Sequence, residues 1–220
     1  MFKEEVKRNL IWQQVLERIR KGIILDELKK DEHLKEATLS EELGVSRGPI
    51  REAIVQLEKE GLVQTSKNGR TKVSGFSIKD VDDLYFSRTI IETSAVEQIN
   101  FPIDLQYLNN IELLVEVMED ESLSKERINY LDLKFHYSLV QLSQNKTLIQ
   151  MWLSMNGLVK AIMEITNERT SSKRDRVCKH HQEILEALKL GDQVQVKQSL
   201  EAHLDFARTV LKKFFETIYK

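Results

Sequence analysis

The sequence predicts a mainly α protein of two domains, a small N-terminal one with a short β hairpin and a larger all-helical one behind it. Three observations lead there. Only 8 glycines and 2 prolines interrupt 220 residues, and apolar residues recur at spacings of three and four, the period of a packed helix. Five of the glycines (Gly44, Gly48, Gly61, Gly69 and Gly75) fall between residues 44 and 75, which concentrates the tight turns there. After Ser77 the helical spacing returns and runs to the end. The domains are accordingly drawn at 1–75 and 76–220, with 75–77 as the linker.

A first helix is expected over about 5–21, with Leu10, Ile11, Val15, Leu16 and Ile19 on one stripe and Gly22 helping to end it. Thr38 followed by Glu41 has capping-box spacing, so a short helix is expected to start at Thr38. Gly44 suits the left-handed turn after it, and Ser46 with Pro49 opens a second helix. On that helix Ile50, Ala53, Ile54 and Leu57 form the buried face, leaving Arg47, Arg51, Gln56 and Lys59 elsewhere. The β-branched stretches 62–65 and 71–73 flank Ser66-Lys67-Asn68-Gly69-Arg70, a hairpin with glycine supplying positive φ. Short helix, turn, longer helix and hairpin together make a winged helix-turn-helix. Further helices are expected over about 78–100, 103–121, 124–143, 147–168, 172–189 and 192–218, which form a bundle.

Composition narrows the class of protein. A hydrophobic fraction of 41% supports a buried core. There is no run of 18 apolar residues and the N-terminus MFKEEVKRNL lacks the apolar heart of a secretory signal, so no membrane partner is expected and the location is read as cytoplasmic. The single cysteine, Cys178, fits a reducing compartment. Residues 1–75 hold 15 Lys and Arg against 13 Asp and Glu, net +2, and the remainder holds 18 against 22, net −4. The asymmetry is small, so motif geometry has to carry any claim about nucleic acid.

That geometry is specific in combination. Ser46, Arg47 and Arg51 stand near the start of the second helix, where free backbone N–H groups favour phosphate and arginines reach base edges. The hairpin adds Lys67, Asn68, Gly69, Arg70 and Lys72. A lone amphipathic helix with these residues would be an ordinary solvated face; the whole constellation is a DNA-binding module. Over about 11–73, and most closely in Ser46-Arg47-Gly48-Pro49-Ile50-Arg51-Glu52-Ala53, the chain resembles the GntR family of bacterial regulators. The resemblance implies that Arg47 and Arg51 contact a double-stranded DNA operator while the wing around 67–70 follows the minor groove. Lys30-Asp31 stands where many members carry Pro-Gly, and Ala37 replaces a common basic residue.

In the second domain Asp132 and His136 are four apart and share one helix face. His181 lies in another helix with Ile184, Leu185 and Leu188 on its packed side, and His203 in a third with Leu200, Leu204 and Ala207. Such a set suits a divalent ion, Zn²⁺, Ni²⁺ or Mn²⁺. A single helical histidine is more often a partly buried hydrogen-bonding side chain than a ligand, and an Asp four residues before a His also occurs as a surface pair, so spacing alone leaves both readings open.

Asp132-x-x-Phe135-His136, His181-x-x-Ile184-Leu185 and His203-Leu204 resemble the FCD effector domain of the FadR-like GntR branch, over about 78–215. That resemblance implies a metal held by Asp132, His136, His181 and His203, with His180 a bystander. It also implies that Arg88 faces an effector cavity and takes the carboxylate of a small organic acid; the alternative for Arg88 is an ion pair with Glu92 on the same helix. The expected protein is therefore a homodimeric, ligand-responsive transcription regulator, a repressor reading a palindrome. A metal-dependent hydrolase or a structural metal scaffold would use the same Asp/His cluster. Against the hydrolase, no further general base or nucleophile motif is present and the DNA-binding module would lack a purpose. The scaffold predicts neither DNA nor metabolite binding.

Overall fold

A computed structural model describes residues 2–169 and 174–219, with side chains described for 11–166 and 178–219. The chain forms two compact units. One runs up to Ser77 and takes in Ile218 and Tyr219; the other is Ile78–Thr217.

In the first unit helix α1 (Phe2–Ile24) packs on α3 (Arg47–Lys59), with the short α2 (Glu36–Glu42) beside α3. α1 continues through Gly22 rather than ending at it. α2 begins two residues before the expected start: its N-cap is Lys35, which makes no side-chain cap bond, and Thr38 lies inside the helix. The capping-box spacing is therefore not used. Gly44, at φ 64°, makes the left-handed turn that an L side chain rarely adopts. Ser46 is the extended N-cap of α3, and Pro49 falls in its first turn, where its missing N–H is not needed. Ile50, Ala53 and Leu57 are completely buried. These side chains and Val15, Leu16, Ile19 and Ile23 of α1 form the core of the unit.

Strands β2 (Val63–Thr65) and β3 (Thr71–Val73) pair antiparallel in the register Val63 with Val73, Gln64 with Lys72 and Thr65 with Thr71. Gly69, at φ 75°, sits in the connecting loop. A two-residue strand, β1 (His33–Leu34), adds to the far edge of β3, giving the order β1-β3-β2. A buried ion pair fixes the end of α3: Arg20 donates from Nε and Nη2 to the two Glu60 carboxylate oxygens at 2.8 and 2.7 Å, and Gln56 donates to Glu60 as well.

The second unit contains α4 (Ile78–Val96), α5 (Leu105–Met118), α6 (Lys125–Leu142), α7 (Lys146–Arg169), α8 (Arg174–Leu190) and most of α9 (Gln193–Ile218). Local chemistry sets several starts. Asp104 accepts from the Gln106 amide and Ser124 from the Arg127 amide at the N-termini of α5 and α6. The Asp192 side chain accepts from the Gln195 amide at the start of α9. α4 stops at Val96, short of residue 100, and the expected first residue of α8, Ser172, lies outside the described residues. The core is built from α6 residues Phe135 and Leu139, α7 residues Ile162 and Ile165, and Ile184, Leu200, Leu204 and Phe215 of α8 and α9.

Candidate functional site

The helix-turn-helix face is held open to solvent. Ser46, Arg47 and Arg51 on α3 and Lys67, Asn68, Gly69, Arg70 and Lys72 on the wing are all exposed. They do not share one state. The side chains of Arg47, Lys67 and Arg70 make no polar contact among the described residues. Arg51 donates from Nε to both oxygens of Glu36, at 3.0 and 2.8 Å, across the α2–α3 turn. This engages Nε, while the terminal guanidinium nitrogens have no partner among the described residues and form a fork of the kind that can pair with a guanine edge. Lys72 pairs with Asp31 at 2.7 Å, which holds the Asp31 carboxyl below its ordinary value. The acidic residue found where many members carry glycine thus clasps a wing lysine.

The second cluster is buried. α6 brings Asp132 and His136 to one face, α8 brings His181 and α9 brings His203, and one ligand atom from each lies within 4.8 Å of all the others. The packing that aims them is aromatic. Phe135 stands edge-on to His136 and His181 with centroids 5.4 and 4.6 Å away, while His136 and His203 stack at 5.0 Å. His136 Nε2 and His203 Nε2 face each other at 3.0 Å. His181 Nε2 is 3.2 Å from Asp132 Oδ1, yet neither ring nitrogen of His181, nor Nδ1 of His203, has a hydrogen-bond partner. Buried polar atoms left in this way are costly unless something else satisfies them. Converging imidazoles and one carboxylate, with nitrogens unpaired, fit a divalent cation.

Electrostatics favours the same set. Burial, and the other histidines close by, push the His203 imidazole well below its ordinary value. Burial also lowers His136. Both are therefore neutral, the form that coordinates metal. Burial alone would raise the Asp132 carboxyl, but His181, His136 and Arg88 outweigh it and hold the group well down. His180, outside the four, is half-buried with its ring edge-on to Phe206 at 5.3 Å.

Arg88 is 2% exposed and donates from Nε to Glu92 at 2.6 Å, while its Nη2 is buried with no hydrogen-bond partner. The same-helix pair exists, and one end of the guanidinium is left over. Two participants were not legible as site residues in the sequence. Glu92 also meets His136 Nδ1 at 2.6 Å and accepts from Trp152 Nε1 of α7 at 2.9 Å. The available signal was the stripe Val81, Leu84, Tyr85, Arg88, Glu92, Ala95 and Val96, in which two charges sit among residues that must face inward.

Among the described residues no helix is long and apolar enough to cross a membrane. Residues 11–73 match the family described as bacterial regulatory proteins, gntR family, and residues 83–206 match the FCD domain. The uncharacterized HTH-type transcriptional regulator YdhC of Bacillus subtilis (strain 168) is 30% identical over 206 residues, 92% of each chain. The gluconate operon transcriptional repressor of Bacillus licheniformis is 22% identical, over 85% of this chain and 79% of its own. Among solved structures, that of Lar from Listeria monocytogenes, described as controlling expression of the agr system, superposes with a TM-score of 0.70 over 94% of this chain and 96% of its own at 20% identity. The relatives are regulators and not enzymes, and the chain belongs to the GntR family of bacterial transcriptional regulators, with an N-terminal helix-turn-helix domain and a C-terminal FCD domain.

Proposed function

We propose that this regulator is a metal-dependent sensor of a small organic acid that acts as a homodimeric repressor in the cytoplasm. The observation that carries the reading is the buried convergence of Asp132, His136, His181 and His203 beside a guanidinium with a spare donor. These four residues would hold a divalent ion, Zn²⁺, Ni²⁺ or Mn²⁺, which supplies concentrated positive charge and coordination positions beyond the four protein ligands. Apart from the imidazoles, Arg88, Glu92 and Asp132 give the buried site a single negative charge. A divalent cation turns this into a single positive charge, which one carboxylate cancels. Arg88 Nη2 is the donor suited to that carboxylate. A charge so buried needs a partner, so metal and acid support each other's binding.

In the DNA-binding domain Arg47 and Arg51 read base edges, Ser46 and the helix N-terminus take phosphate, and Lys67, Asn68, Gly69, Arg70 and Lys72 follow the backbone beside the wing. One recognition helix covers few base pairs, so two copies on an inverted repeat supply specificity. Repression is supported by the gluconate operon repressors among the relatives. Native mass spectrometry of the freshly purified protein tests the core of this reading in one measurement. A dimer with one divalent ion per chain is expected, and a metal-free monomer overturns it. Gel shifts on duplexes selected from a random pool, with and without that metal, test the link to DNA: affinity unchanged by the metal limits the ion to structural support.

A further inference from the structure

Glu92 belongs neither to the four-residue cluster nor to any exposed surface, yet it is completely buried and engaged on every side. Arg88 Nε and Trp152 Nε1 donate to its Oε1, and His136 Nδ1 lies 2.6 Å from its Oε2. Its Oε1 takes two N–H donors, and the buried Arg88 guanidinium at 2.6 Å makes it one half of an ion pair. A carboxylate paired in this way only accepts, so the proton shared with His136 sits on Nδ1. That leaves Nε2 of a neutral imidazole with a bare lone pair, and Nε2 is the atom turned toward His203. The same carboxylate lies against Arg88, whose positive charge would otherwise stand uncompensated near any cation in the cluster.

We propose that Glu92 is the positioning residue of the metal site: it fixes the proton of His136 on Nδ1, so that Nε2 is presented to a divalent cation, and it neutralises Arg88 beside that cation. The inference rests on the metal reading above. It predicts that metal affinity depends on a residue that touches no metal.

Zinc is the probe, added to full-length protein stripped with a chelator. Glu92→Gln keeps the shape but removes the charge and one acceptor oxygen, and is expected to weaken zinc binding about 10–100-fold in a chelator-competition titration. Trp152→Phe removes one of the three donors without touching His136 or Arg88; it is expected to lower the melting temperature while keeping zinc affinity within about threefold of the parent. Long-range ¹⁵N–¹H spectra of the metal-free parent at pH 8 are expected to show His136 protonated on Nδ1. A proton on His136 Nε2 overturns the proposal even where Glu92→Gln fails to fold. Equal zinc affinity in parent and Glu92→Gln, or an equal loss in Trp152→Phe, also overturns it and leaves the metal reading standing. A parent that takes up no zinc removes both.

Discussion

In the first unit the charged side chains proposed to meet DNA stand at the surface, either free like Arg47 or clasped by one carboxylate like Arg51 and Lys72. In the second an arginine, a glutamate, an aspartate and three histidines are folded into the core within a few ångströms of one another. Exposed charges cost little to place, so the first set is arranged by the helix and hairpin that carry it. Buried charges must satisfy each other. The second set therefore exists only as an arrangement across α4, α6, α8 and α9.

Among the described residues the first unit has one exception to this contrast, and its removal is expected to have the largest effect. Glu60→Ala leaves Arg20 buried without its carboxylate and should cost about 3–5 kcal/mol of stability in that unit. Urea unfolding followed by DNA gel shift checks this: lost DNA binding with zinc uptake retained is expected, and wild-type stability would show that burial of charge is as cheap here as exposure.

In the second unit the ion itself should carry the stability. Divalent metal at a hundredfold over its dissociation constant adds about 3 kcal/mol, so stripping it should lower the melting temperature, and His136→Ala or His181→Ala should abolish the difference. His180→Ala and His33→Ala should keep it. On the exposed side Arg47→Ala should lose about 1–3 kcal/mol of specific binding, while Lys67→Ala weakens specific and random duplexes alike and reduces the salt slope by about 1.

Acid should separate the units further. His136 and His203 are held below the unfolded value of about 6.5 by burial. The unfolded chain therefore takes up protons that the folded one refuses, and the stability of the metal-free second unit is complete above about pH 6.5 and falls as pH drops below it. A denaturation series from pH 8 to pH 5 measures it; stability rising toward acid would contradict the neutral assignment. The smallest effect is expected at the surface. Glu36→Gln loosens a pair in which Arg51 is 64% exposed and should change stability by under about 1 kcal/mol. Its consequence belongs to base preference, read by selecting duplexes with parent and variant.

The same contrast explains how much could be read in advance. Ser46, Pro49, Gly44 and the Asn68-Gly69 turn are local signals, and they placed the helix-turn-helix and wing. Asp132 and His136 were readable because they lie one turn apart; His181 and His203 were tied to them by family resemblance, since no spacing links residues on different helices. Glu92 and Trp152 lie 60 residues apart and have no shared pattern. Strand β1 has two residues, too few for an alternation to show. Thr38 carried the right local signal, but α2 starts two residues earlier, with Glu36 in its first turn and bonded to Arg51.

Trp152 gives this regulator an optical handle. The sequence holds two tryptophans, and the other, Trp12, belongs to the first unit. With Trp12→Phe, the remaining indole is 3% exposed and donates its N–H to the carboxylate that meets His136. Its emission is expected to be that of a shielded ring held by one hydrogen bond. A movement of Glu92 on metal or acid binding would then appear as a change in colour and intensity, in the unlabelled protein and on the millisecond scale of a mixing experiment.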